Sequence, residues 1–340
     1  MTSSVSSLSV LQIRSLPVAT VASWNEDDAA ALTATQTNAL SSTQVAALST
    51  SVITNLTSTQ VAAISPRAIV GLNLDQLVAL STDKIANLTT FQAAALNTSQ
   101  IGGLTTSQAE ALTSSQIARL SYQQVAMLST EDLATFSTTD IAALSPLAMR
   151  GLSANKLASL APNQVAALTL RQITALKTDQ ITALTSSQVG ALTTTQINAL
   201  SGIQVTALSS TNISVLSTSQ IAALSNRAVA NLTSTQIATL SPAQTGALTA
   251  AQVASLTARQ IAAISYAQLE TFSSANLAAI STKAITGLSV ENITKLTSQQ
   301  IAAFTPKQIA AMNSTQLAAL TSSQVTTFST AQISALSSAQ

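Results

Sequence analysis

The chain contains no cysteine and no histidine in 340 residues. The first absence excludes disulfides and thiolate chemistry and leaves the redox compartment open. The second removes the usual general base, the usual proton shuttle and the commonest metal ligand. Charge is also scarce. Thirteen Lys and Arg stand against twelve Asp and Glu, 7% of the chain, so no basic stripe exists to follow phosphates and nucleic acid is not an expected partner. Aromatics make up 2%. Hydrophobic content reaches 46%, yet Ser, Thr, Gln or Asn interrupts every eight residues, and no apolar run is long enough to predict a membrane span. The first residues, from Met1 to Leu16, lack a basic segment followed by a continuous apolar one, so no cleaved signal peptide is expected.

What is present is a frame. Every eighth residue from Leu8 and Leu16 to Phe328 and Leu336 is large and apolar, without a slip. Leu fills 33 of the 42 positions; Trp24, Ile64, Phe136, Ile264, Phe272, Ile280, Phe304, Met312 and Phe328 fill the others. Repetition this regular defines a repeat protein rather than two or three globular domains. The expected organisation is one octapeptide-repeat array over 1–340, divergent in 1–32 and regular in 33–340.

Lettering each octad a to h, with h the large apolar residue, gives the consensus Ser/Thr-x-x-Gln-Ile/Val-Ala-Ala-Leu, as in residues 41–48. Ser or Thr at a followed by Gln at d is the capping-box pattern: the hydroxyl accepts from the N3 amide and the Gln side chain reaches back to the cap amide. Ser or Thr holds 35 of 43 a positions, Asn25, Asn73, Asn97 and Asn313 are equally good caps, and Gln holds 28 of 43 d positions. Proline checks the frame independently. It is tolerated at the first helical position and disfavoured deeper in a helix. Pro66, Pro146, Pro162, Pro242 and Pro306 all stand at b, and Pro17 alone stands at a.

A continuous helix would turn its leucine stripe by about 80° per octad and never form one face, which rules out a coiled coil. A strand would send e and h to opposite sides of a sheet. The predicted fold is therefore all-α, a solenoid of short capped helices, one per octad and roughly two turns each. On such a helix e and h share the inner face and c points away. The charges agree. Of the 21 from Thr33 onward, eleven lie at c and none at e or h. Small residues at f and g would let helices approach closely, with Gly71, Gly151 and Gly287 easing the exit into the next cap. One octad cannot bury enough to fold alone, so stacking must supply the rest.

Few residues invite a chemical reading. Glu26, Asp27 and Asp28 are adjacent carboxylates, but behind Asn25 they occupy a first helical turn, where the helix dipole favours negative charge. Trp24 stands at h and reads as core or as a cover over the first repeats. Glu131, Asp132 and Asp140 form a second acidic group, with the two aspartates at d, where Asp can replace Gln as the cap's partner. Phe136, Phe272, Phe304 and Phe328 are core positions. Phe91, Tyr122 and Tyr266, at b or c, are candidate surface residues. Octads with Ala at d begin at Ser65, Ser145, Ser225 and Ser281, the first three 80 residues apart, which hints at duplication of a ten-octad block. Sequons such as Asn55-Leu56-Thr57 arise readily in a chain so rich in Ser and Thr. No catalytic, cofactor-binding or metal-binding residue is assigned, and no cofactor is expected.

The octad resembles the tandem Leu-Ser/Thr-x-x-Gln-Ile/Val-x-Ala repeats of large bacterial proteins that are secreted or surface-associated, and the resemblance covers nearly the whole chain. It implies a structural or adhesive extracellular role and transfers no functional residues. The pattern is weakest where Ser4, Thr20 and Asp28 replace Gln at d. The expected function is a non-enzymatic spacer, scaffold or surface fibre, with other copies of the chain as partners through end-to-end or lateral assembly. The alternative is a binding module that presents a hydroxylated face to carbohydrate, protein or ice.

Overall fold

The structure is a computed structural model that describes residues 4–338. Among these residues there are 38 α-helices, four 3-10 helices and no strand. One helix falls in each octad from 1–8 to 329–336, so the chain forms the all-α repeat solenoid that its periodicity predicts. Ser41 shows why each helix begins where it does: its hydroxyl accepts from the Gln44 N–H while the Gln44 side chain accepts from the Ser41 N–H. Pro162, Pro242 and Pro306 each open a helix, where a missing N–H costs nothing.

The α-helices span four to six residues, shorter than two turns. The reason lies in the link. Both h and the following a leave the helical conformation, as at Leu48 (φ −61°, ψ 139°) and Ser49 (φ −70°, ψ 157°). Two extended residues in succession redirect the chain, and among the described residues none has a positive φ. The glycines at g therefore do not ease helix exits, contrary to the expectation. A Cβ on Gly71, Gly151 or Gly287 would lie 2.0, 2.1 and 2.1 Å from the backbone oxygens of Ser42, Tyr122 and Ala258, each at b and 29 residues earlier. These glycines exist for close approach. At the corresponding place in the octad 225–232 the g residue is Asn231, and the glycine is on the other side of the contact, Gly202 at b. Octads with Gly at g after Ala at d adopt 3-10 geometry (Ile69–Gly71, Ala148–Gly151, Ile285–Gly287), whereas Asn226–Asn231 stays α-helical.

The chain divides into two compact units, Met1–Ala175 and Leu176–Gln340, built on the same plan. Within each unit a helix packs on those three octads before and after it. Hydrogen-bonded residues in adjacent turns are 25 to 31 apart in sequence, so one turn of the solenoid takes between three and four octads. Position e is the most deeply buried: Ile13, Ile53, Leu77 and Ile213 are fully enclosed. Position h is close behind, with Trp24 and Leu104 the least covered of its core members at 7% exposure. Where a small residue occupies e, as at Ala29, Ala93 and Thr245, it is equally buried. Position f is mostly exposed and varied: a Cβ on Gly190 would meet nothing within 4 Å, whereas one on Gly102 or Gly246 would lie 3.3 or 3.1 Å from the side chains of Met127 or Thr271, so the closest approach to backbone is at g and b.

Candidate functional site

The glutamine at d has two jobs, and only one is local. Gln92 is fully buried; its Oε1 accepts from the Thr89 N–H at 2.7 Å, closing the capping box. Its Nε2 donates to the carbonyls of Val61 (2.8 Å) and Ile64 (2.7 Å), which lie 31 and 28 residues earlier. These are the e and h carbonyls of the octad four steps back; the Val61 carbonyl also accepts from the Ile64 N–H of its own octad, whereas the Ile64 carbonyl, beyond the helix end, takes its donor from Gln92. Gln44, Gln60, Gln124 and Gln172 repeat the double donation in the first unit. Gln252, Gln260, Gln308 and Gln324 repeat it in the second. The primary amide is the one neutral side-chain group that carries an acceptor and two donors at the required separation. The result is a ladder of amides joining successive turns.

Substitutions at d show what each group retains. Asn212, Asn276 and Asn292, one methylene shorter, keep a single bond to the h carbonyls of Leu184, Leu248 and Ile264. Lys84 and Lys156 donate to the f carbonyls of Thr54 and Ala126. Burial holds the Lys84 ammonium below its ordinary pKa. Asp132 and Asp140 accept from the Ser129 and Ser137 N–H groups, as the sequence predicts, and Asp140 also accepts from the Ser114 hydroxyl. Among the described residues no buried side-chain nitrogen or oxygen lacks a hydrogen-bond partner. The interior polar groups are engaged in the fold.

The ladder was partly legible. A capping box accepts Glu as readily as Gln, and the positive end of a helix favours Glu. Yet none of the 43 d positions holds Glu, against 28 with Gln. Carboxylates stand at only three, Asp28, Asp132 and Asp140, so the position favours a side chain that can also donate.

The residues singled out from the sequence fall into place separately. Asn25 Oδ1 accepts from the Asp27 and Asp28 N–H groups, and Asp28 accepts from the Asn25 N–H, so the acidic run builds a helix start. Trp24 is buried at h, yet it also borders an open cavity of about 430 Å³ with Asn25, Glu26, Asp27 and Ser51. Glu131 is exposed, and hydrogen bonds from its own backbone N–H and the Thr130 hydroxyl lower its pKa. Phe136, Phe272 and Phe304 are core; Phe328 is half-buried. Phe91 and Tyr266 prove to have partners one turn on: Arg119 lies 5.5 Å above the Phe91 ring and Lys295 5.6 Å above Tyr266. Among the described residues no three His, Cys, Asp or Glu side chains gather as a metal site. Nor is any helix long and apolar enough to cross a membrane.

The outer surface is set by c, exposed in every octad from Leu11 to Ala331. It mixes hydroxyls such as Thr43, Ser51, Thr59 and Ser99 with isolated charges such as Arg67 and Asp75. Toward the last described octads the inner stripe is less covered: Leu317, Leu320, Val325, Phe328 and Leu336 line a cavity of about 400 Å³.

Repeated helices, a repeated cap and a repeated inter-turn amide together make this chain a tandem-repeat α-solenoid protein. The sequence family described as the ALTTAQ repeat matches it at residues 53–90, 93–122, 170–202 and 293–330. No curated protein matches the chain.

Proposed function

We propose that the chain is a non-enzymatic structural repeat protein that serves as a spacer or scaffold, and, from the resemblance of its octads, that it works at a bacterial cell surface or outside the cell. One observation carries the reading. The positions that recur, a, d, e and h, all have folding tasks, while c is exposed in every octad and changes freely among Ser, Thr, Ala, Asp and Arg. A structure that constrains its interior and leaves its surface variable is suited to holding a distance. Adding blocks of whole octads and measuring the distance between dyes at either end by energy transfer tests this. The distance should grow in proportion to the octads added, and a distance independent of octad number would contradict the reading.

The exposed hydroxyls at c favour a second reading, a binding face for carbohydrate, protein or ice. A glycan array and an ice-recrystallisation assay test two of these ligands, and binding that is lost when Thr43, Ser51 and Thr59 are changed together to Ala would favour it over a plain spacer.

A further inference from the structure

A cavity of about 380 Å³ opens on the first unit, lined by Arg14, Asn38, Ser42, Ser65 and Arg67, with Leu40 and Ala68 among the remaining residues. Neither guanidinium has a carboxylate partner: the one ion pair among the described residues joins Lys295 to Glu291, and no acid lines the cavity. The place has a structural origin. Ala68 stands at d, so the octad 65–72 lacks the amide that would reach the Leu40 carbonyl and accept from the Ser65 N–H. Both Leu40 and Ser65 border the cavity.

The construction recurs in the second unit. There a cavity of about 280 Å³ is lined by Ser201, Gly202, Ser225, Arg227 and Asn231. Its octad 225–232 also has Ala at d and Arg at c. All four octads with Ala at d carry one basic residue and no acid, namely Arg67, Arg150, Arg227 and Lys283, although basic residues number only 13 in the chain. Omission of the ladder amide and placement of a cation go together.

We propose that the Arg14–Arg67 cavity binds a tetrahedral oxyanion, a phosphate or sulfate group. Each guanidinium offers a fork of N–H donors matched to such oxygens. The Ser42 hydroxyl and the Ser65 N–H are further donors, and the open side leaves room for the molecule that carries the group. The Arg227 cavity, with one guanidinium, is a weaker copy.

Titration calorimetry of the full chain at low ionic strength, with inorganic phosphate, inorganic sulfate and glucose 6-phosphate as probes, tests the assignment. Saturable binding should weaken roughly tenfold in either Arg14→Gln or Arg67→Gln. The tighter step should vanish in the double variant and fall with added salt. Arg171→Gln, an exposed arginine that does not line this cavity, should bind as the parent does. Both arginines are exposed, so far-UV dichroism should show all variants folded. Tighter binding of glucose 6-phosphate than of free phosphate would mean the group is recognised on a larger molecule, and equal binding would mean the free ion suffices. No saturable binding of any probe, or a double variant that titrates like the parent, would overturn the proposal.

Discussion

Replacing Gln92 by Glu separates a cap partner from a ladder rung with almost no change in shape. As a capping-box partner the new carboxylate would do as well as the amide or better, because it lies at the positive end of a helix. As a rung it fails. Two donated bonds, at 2.8 and 2.7 Å, are lost, and a carboxylate oxygen faces the Val61 and Ile64 carbonyls inside the core. Each lost bond costs about 1 kcal/mol net, and leaving the buried Ile64 carbonyl unpaired costs about 1–3 kcal/mol more, the Val61 carbonyl keeping the Ile64 N–H, so a loss of about 3–5 kcal/mol is expected at neutral pH. Burial beside carbonyls must raise the new group's folded pKa above its unfolded value of about 4.3. The deficit should therefore be smallest below pH ~4, where the protonated acid donates one bond, and grow as pH rises toward the folded pKa. Long repeat arrays do not unfold in one step, so the assay is native-state hydrogen exchange in the helices Ser58–Ala63 and Thr90–Ala95. Gln123→Glu, at an exposed c position, is the control. Exchange in the Gln92 variant within about 0.5 kcal/mol of the parent would refute the ladder.

Gly151→Ala should destabilise by about 1–3 kcal/mol, because the new methyl would sit 2.1 Å from the Tyr122 oxygen and 3.0 Å from the Ala126 nitrogen. Gly190→Ala, with nothing within 4 Å, should stabilise by about 0.5–1 kcal/mol; local hydrogen exchange reads both. Lys84→Gln should restore the acceptor for the Ser81 N–H and both donations, to Ile53 and Leu56, for a gain of about 1–2 kcal/mol. Since burial lowers the Lys84 pKa, the parent recovers stability as pH rises from that lowered value toward 10.5, and the advantage of the variant should shrink across that window. Leu128→Ala removes a fully buried side chain and should cost about 2–5 kcal/mol, measured in the same way.

Local spacing carried much of the fold. Cap, helix and inner stripe all depend on residues within one octad, and Ser41, Gln44 and Leu48 declare them directly. The number of octads per turn does not. It follows from the ψ angles of two linked residues, such as Leu48 and Ser49, and small rotations there accumulate along the coil. For the same reason the second task of Gln92 was hidden: its partners lie 28 and 31 residues away. Gly151 misled for a related cause. At a helix end glycine ordinarily serves the backbone's own conformation, but here it makes room for Tyr122 in the preceding turn. Phe91 and Tyr266, unremarkable on the surface of one octad, acquire cationic partners only when the next turn arrives.

The central claim is that the glutamines at d are buried donors joining turns of the solenoid. Side-chain amide hydrogen exchange, resolved by NMR, observes those donors directly. The Nε2 protons of Gln92, Gln172 and Gln252 should exchange orders of magnitude more slowly than those of Gln123 and Gln299 at exposed c positions. Equal, solvent-like exchange for both sets would contradict the account.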